Sequence, residues 1–116
     1  MNMRSEFAAG QPLKRFAFTL QLRDGVAEVY DQAHRDLWPE MRDMLKRAGI
    51  SDYSIFRRDN VIFLTFKAAD FEATWSKFDD DPINLHWQKA MAPLFAPVET
   101  RPRERFPMME EIFFLP

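Results

Sequence analysis

Strict two-residue alternation over Arg15 to Leu22, two β-rich runs flanking Asp59-Asn60, and helical spacing of apolar residues in the stretches between predict an α+β fold. In Arg15 to Leu22 the side chains of Phe16, Phe18, Leu20 and Leu22 point one way. Ala17, Thr19 and Gln21 point the other, so this strand has one strongly apolar face. Asp24-Gly25 breaks the strand, and Asp24 stands where it can cap a helix. Val26, Val29, Tyr30, Ala33 and Leu37 then fall at helical spacing. The ring of Pro39 would clash with the carbonyl of Arg35, so this helix stops or kinks near Asp36 to Trp38. Pro39 suits the first position of a second helix, with Glu40 well placed against its dipole. Met41, Met44, Leu45 and Ala48 form an apolar stripe, and Gly49 is a natural stop.

Ser51 to Arg58 and Val61 to Lys67 read as a hairpin about Asp59-Asn60. Asp70 caps a short helix with Phe71, Trp75 and Phe78 on one side. Asp81-Pro82 opens another, with Ile83, Trp87, Ala90 and Met91 inward, and Pro93 ends it. A loop through Pro97, Pro102 and Pro107 leads to a last strand, Met108 to Leu115. The order β-α-β-β-α-β is that of a ferredoxin-like α+β sandwich, with helices over one sheet face. Residues 13–116 read as a single domain. Met1 to Pro12, mostly polar and ending Ala8-Ala9-Gly10-Gln11-Pro12, reads as a flexible leader.

Composition narrows the function classes. A chain of 116 residues, 47% hydrophobic and 29% charged, is an ordinary globular mix, which excludes a disordered chain. No apolar run approaches the ~18 residues that span a bilayer, so no membrane partner is expected. The net charge is −2 and the basic residues are scattered, so the footprint of a nucleic-acid binder is missing. The chain has no cysteine, which excludes disulfides, thiolate metal sites and a cysteine nucleophile together. The first residues lack a signal-peptide run, so a cytoplasmic location is expected. Aromatics are 15% with 12 Phe, so the rings either fill a thick core or cover a sheet face. Phe16, Phe18 and Ile112 to Leu115 read as a face that a second copy would cover, giving a homodimer.

Candidates for chemistry are few. Tyr30 and His34 are four apart and stack on one helix face, beside the corner that Pro39 makes. Histidine exchanges protons near neutrality, although such a pair is equally a surface histidine beside a half-buried tyrosine. His86-Trp87-Gln88 offers an imidazole, an indole and an amide, or simply a core Trp87 with exposed neighbours. The two histidines have no thiolate or i,i+4 histidine partner, so no metal is proposed. Asp79-Asp80-Asp81 lacks the alternate spacing of a calcium loop and reads as a solvated turn. No glycine-rich phosphate loop is present. Tyr30, Tyr53, Trp87 and Gln88 together suit a sugar, whose apolar faces stack on rings and whose hydroxyls need polar partners.

Several of these patterns coincide with one family. Tyr30-x-x-x-His34-x-x-x-Trp38-Pro39-Glu40 resembles the Tyr-x-x-x-His-x-x-x-Trp-Pro-Glu signature of the L-rhamnose mutarotases. Gly49 to Ile55 resembles their Gly-x-x-x-Tyr-x-Ile stretch, Trp87 falls in their tryptophan-bearing helix, and Glu111 to Pro116 is similar to their C-terminal strand. The resemblance covers Arg15 to Pro116. It implies a homodimer of the dimeric α/β-barrel type that needs no cofactor and interconverts the α and β anomers of a 6-deoxy sugar. It implies His34 as the catalytic proton donor and Tyr30 and Tyr53 as sugar-binding residues. Trp87 and Gln88 join them as substrate-binding candidates.

The chain departs from that pattern at two places. Where the family carries two consecutive tryptophans, this sequence reads Trp87-Gln88, which removes a stacking ring and adds an amide. Ile55-Phe56-Arg57-Arg58 lacks the acidic residue expected after that strand. L-Fucose or another sugar therefore stays open beside L-rhamnose. Mutarotation needs a proton delivered to the ring oxygen and one taken from the anomeric hydroxyl. His34 suits the first; a carboxylate, a tyrosine or water could take the second. Other readings of the same sandwich are a cofactor-free monooxygenase, a haem-binding protein with His34 as axial ligand, or a non-catalytic ligand-binding or dimerisation module.

Overall fold

A computed structural model describes residues 12–116, so the leader read over Met1 to Pro12 lies outside the described residues except for Pro12. The elements are β1 (Lys14–Leu22), α1 (Ala27–Arg35), α2 (Pro39–Arg47), β2 (Ser51–Arg58), β3 (Val61–Ala68), α3 (Phe71–Asp79), α4 (Pro82–Met91), a 3₁₀ turn (Ala92–Leu94), β4 (Phe95–Ala96) and β5 (Met108–Met109). The sheet order β2-β3-β1-β4, with β5 also on β1, is that of the ferredoxin-like β-α-β-β-α-β sandwich.

Local chemistry explains most boundaries. Asp59, at φ +52°, makes the two-residue turn between β2 and β3, a conformation that a short polar side chain tolerates. Asp70 accepts a hydrogen bond from the Ala73 amide, and Asp81 accepts from the Ile83 and Asn84 amides, each satisfying helix-start N–H groups. Pro39 opens α2, and Gly49 at φ +92° ends it in a conformation that costs glycine nothing. Asp24 does not cap α1. The helix starts from Val26 with no side-chain cap, and the Asp24 carboxylate accepts from the Asn60 amide at 2.7 Å instead. Gly25, at φ +83°, turns the chain away before a capping geometry can form. Val29 and Ala90 are exposed, because Tyr30 on α1 and Trp87 with Met91 on α4 occupy the buried stripes.

The aromatic residues are used differently from the sequence-based expectation. Phe18 and Phe66 face the helices and are almost fully buried, Phe18 at 2% exposure. Phe18 stacks on Phe106 at 4.2 Å between centroids and meets the edge of Trp75 at 6.1 Å. Trp75 in turn packs on Phe71 and Phe78, both at 4.7 Å. Phe16 and Phe18 thus build the chain's own core and do not form a face for a second copy. The opposite face carries Ala17, Thr19 and Gln21 opposite Thr65, Phe63 and Val61, with Phe56 beside Phe63.

The last strand is also shorter than the alternation from Met108 to Leu115 predicts. β5 holds only Met108 and Met109, opposite Phe18 and Ala17. Running antiparallel from there, the chain has only Phe16, Arg15 and Lys14 of β1 left before that strand ends. Ile112 to Leu115 run past the rim of the sheet, and Ile112 and Phe113 are 91% and 78% exposed. Arg15 holds the start of this tail, pairing with Glu111 at 3.0 Å and lying 4.7 Å over the Phe114 ring. The remainder of this edge of β1 is taken by β4, where Phe95 and Ala96 oppose Leu22 and Gln21. The prolines between β4 and β5 have no N–H to offer a ladder, which explains why one strand became two fragments.

Candidate active site

The corner between α1 and α2 leaves a cleft of about 620 Å³ between these helices, α4 and the inner face of the sheet. Tyr30, His34, Tyr53, Trp87 and Gln88 all line it. α1 supplies Tyr30 and His34 from one face, at 4.3 Å between ring centroids. α4 supplies Trp87, whose ring stands edge-on to His34 at 5.5 Å. β2 supplies Tyr53, held edge-on against Phe66 at 5.8 Å. The second histidine is elsewhere. His86 is exposed, does not line the cleft, and lies on Trp38 at 4.9 Å. Trp38 meets Trp87 edge-on at 5.1 Å from behind, so the Trp-Pro-Glu corner buttresses the indole that the cleft exposes.

His34 Nδ1 lies 2.9 Å from the backbone oxygen of Tyr30. A carbonyl can only accept, so Nδ1 carries a proton and Nε2 is the nitrogen left to exchange one. Burial first, and then the charge of Asp31, push the Tyr30 phenol up to about 12. Burial first, and then Tyr30, push the Tyr53 phenol up further. Both tyrosines therefore stay neutral hydrogen-bonding groups at physiological pH. The two carboxylates lining the cleft are engaged, Asp52 with Lys67 at 3.2 Å and Asp79 with Arg105 at 3.0 Å. Asp79 and Asp81 accordingly act as an ion-pair partner and a helix cap, in the stretch read as a solvated turn. Among the described residues no group of three or more His, Asp or Glu is arranged to hold a metal ion.

Asn84 is among the lining residues that escaped the sequence reading. Asn84 is buried on α4; its Nδ2 donates to the Phe78 carbonyl at 3.1 Å, and its Oδ1 accepts from Gln88 Nε2 at 3.3 Å. Because the Phe78 carbonyl can only accept, the orientation of both amides follows, and Gln88 keeps its Oε1 free as an acceptor. The available signal was the spacing of Asn84 and Gln88 around Trp87, one helical turn on the face that the indole marks.

A profile of the family described as L-rhamnose mutarotase matches residues 15–115. The chain belongs to that family. An L-rhamnose mutarotase of Lachnoclostridium phytofermentans is 37% identical over 90 residues, which is 76% of this chain and 83% of that one. An L-rhamnose mutarotase of Bacillus subtilis is 35% identical over 102 residues, 81% of this chain and 97% of the relative. The crystal structure of an L-rhamnose mutarotase from Formosa agariphila superposes with a TM-score of 0.69 at 28% identity. It covers 88% of this chain and 98% of its own.

The tyrosine environment of this mutarotase-family chain makes stability depend on alkaline pH. Below pH 10 Tyr30 is neutral whether the chain is folded or unfolded, and its contribution is fully present. Between pH 10 and about 12 the unfolded chain loses the phenol proton and the folded chain keeps it, so stability falls as pH rises. One such group is worth about 1.4 kcal/mol per pH unit in that window. Urea denaturation between pH 9 and 11 should show the decline in the parent protein and a shallower one in Tyr30→Phe. Equal slopes in the two proteins would refute the assignment.

Proposed function

We propose that this chain interconverts the α and β anomers of a 6-deoxy sugar, L-rhamnose first, by opening and reclosing the pyranose ring. The observation that carries the reading is His34, with Nδ1 tied to the Tyr30 carbonyl at the wall of a ring-lined cleft, in a chain of the L-rhamnose mutarotase family. The anomeric hydroxyl and the ring oxygen hang on the same carbon, so one nitrogen beside that carbon reaches both. Nε2 takes the hydroxyl proton as the carbonyl forms and the bond from the anomeric carbon to the ring oxygen breaks. The same proton then goes to the former ring oxygen. Rotation of the freed aldehyde and the reverse sequence give the other anomer. One proton moves and no electrons are transferred, so the step calls for no redox cofactor. Tyr30, Tyr53 and the Gln88 amide hold sugar hydroxyls, and Trp87 offers its indole to an apolar sugar face. A positioned acid–base group of this kind gives roughly 10²–10⁴-fold.

Saturation-transfer NMR between the two anomeric protons tests the reading on L-rhamnose, L-fucose and aldoses lacking the 6-deoxy methyl. Acceleration on at least one 6-deoxy sugar is expected, and none on any sugar would end the proposal. The Gln88→Trp variant should change the ratio of rates across this panel, because an indole can stack where the amide hydrogen-bonds. A buried hydroxyl left unpaired costs about 1–3 kcal/mol. Unchanged ratios would place Gln88 outside substrate recognition.

The same reading makes residues 13–116 one catalytic domain after a leader of residues 1–12, and makes the protein a cytoplasmic homodimer without a nucleic-acid or membrane partner. No helix among the described residues is long and apolar enough to cross a membrane. The net charge of −2 gives polyanions little to grip. Support for the dimer now comes from the outer sheet face with Phe56 and Phe63, and from the exposed tail Ile112 to Leu115. Burying these against a second copy recovers about 25 cal/mol for each Å² of apolar surface. Light scattering at micromolar concentration should return twice the chain mass; a monomer would overturn the dimer.

A further inference from the structure

We propose that Asp31 and Arg57 form a clamp that sets the width of the cleft and so positions Tyr30 and His34 against Tyr53. The proposal rests on the sugar-exchange reading above and assigns a role to two residues that do not line the cleft. Arg57 meets Asp31 through two parallel bonds, Nε to Oδ1 at 2.7 Å and Nη2 to Oδ2. Its remaining nitrogen, Nη1, donates to the Asp59 carbonyl at 2.8 Å. All three guanidinium nitrogens are thus engaged, and the group is fixed to the hairpin turn as well as to α1. The side chains are only 28% and 24% exposed.

The placement of this pair separates it from an ordinary surface ion pair. Among the described residues it is the only side-chain hydrogen bonding between α1 and the sheet. The other side-chain bonds of α1 stay on the helix or its end, Arg35 to Glu28 and Gln32, Gln32 to Asp36, and His34 to the Tyr30 carbonyl. Asp31 directly follows Tyr30, so any roll or slide of α1 carries Tyr30 and His34 together. On β2, Tyr53, Ile55 and Arg57 alternate onto the inner face, so the clamp residue and the sugar-binding candidate share one strand face. Among the described residues β2 is an edge strand with β3 as its only neighbour, and its register is irregular between Ser51 and Ser54. A strand paired on one side and broken near Tyr53 can swing, and α1 is the wall it would swing from. The hydrogen bond from Arg57 holds the Asp31 carboxyl below the ordinary range, so the pair stays charged wherever exchange is measured. Exposed ion pairs contribute little to stability, but a displacement of about 1 Å in a reacting group can cost about 100-fold in rate. The clamp acts on geometry more than on stability.

The test uses Asp31→Asn, Arg57→Gln and Arg57→Lys in the full chain, with the exchange rate and amide hydrogen exchange measured on each. Asp31→Asn and Arg57→Gln should lower kcat on the best sugar by about 10- to 100-fold and move KM less than about threefold. Arg57→Lys keeps the charge without the fork and should recover part of that loss. Amides of residues 27–35 should exchange faster in the first two variants, while those of α2 to α4 keep their protection. Unchanged kcat, or faster amide exchange spread over all four helices, would overturn the clamp. A parent protein that exchanges no sugar would end the functional reading instead. The amide pattern alone then decides the clamp, supported by loosening confined to residues 27–35 and overturned by its absence.

Discussion

Replacing His34 by Asn should leave a folded protein that binds sugar weakly and exchanges anomers at least ~100-fold more slowly, the low end for a positioned acid or base. Asn matches imidazole in size and polarity and can still donate to the Tyr30 carbonyl, which the ring now does at 2.9 Å. It has no nitrogen that cycles a proton. His34 is half-buried at the end of α1 and carries little core packing, so the loss should fall on rate and spare the melting temperature. Tyr30→Phe should cost less, since it removes one hydroxyl and leaves the ring that packs on His34 and on Phe95. Near-normal exchange by folded His34→Asn on its best sugar would return His34 to an ordinary helix-end residue. The proton would then have to pass through water or a carboxylate, and both cleft carboxylates are held by cations.

Phe18→Ala should destabilise the fold by about 3–5 kcal/mol, measured by urea denaturation. The ring is 2% exposed and sits between Phe106, Phe66 and Trp75. Its removal leaves a cavity beneath α3 and deprives the loop residue Phe106 of the ring it stacks on. A loss of that size is a large share of the 5–15 kcal/mol that holds a typical domain together. The comparison is Phe56→Ala on the outer face, where the exposed ring meets Phe63 at 6.2 Å. That change should leave subunit stability within about 0.5 kcal/mol, as exposed substitutions usually do. If Phe18→Ala instead cost under 1 kcal/mol and weakened self-association, the two sheet faces would be assigned the wrong way round.

Features decided within one turn of chain were legible in the sequence. The clash of the Pro39 ring with the preceding turn places the α1–α2 corner, and with it the wall that holds His34. Asp70 and Asp81 satisfy amides two or three residues ahead, so the starts of α3 and α4 needed no distant partner. The i,i+4 step of Tyr30 and His34 put both rings on one face before any packing was known. Alternation in β1 showed that one face is strongly apolar, but it carries no information about what covers that face. Only the packed structure revealed that α3, α4 and Phe106 cover it, leaving the plainer face and the tail outside. The exposure of the tail was hidden for a similar reason: how far a strand can pair depends on where its neighbour ends, and Lys14 lies ninety-odd positions away in the chain. The Asp31–Arg57 clamp belongs to the same class. Polar side chains at these positions are unremarkable on a helix or an edge strand. Their pairing arises only when tertiary packing brings α1 and β2 within hydrogen-bond reach.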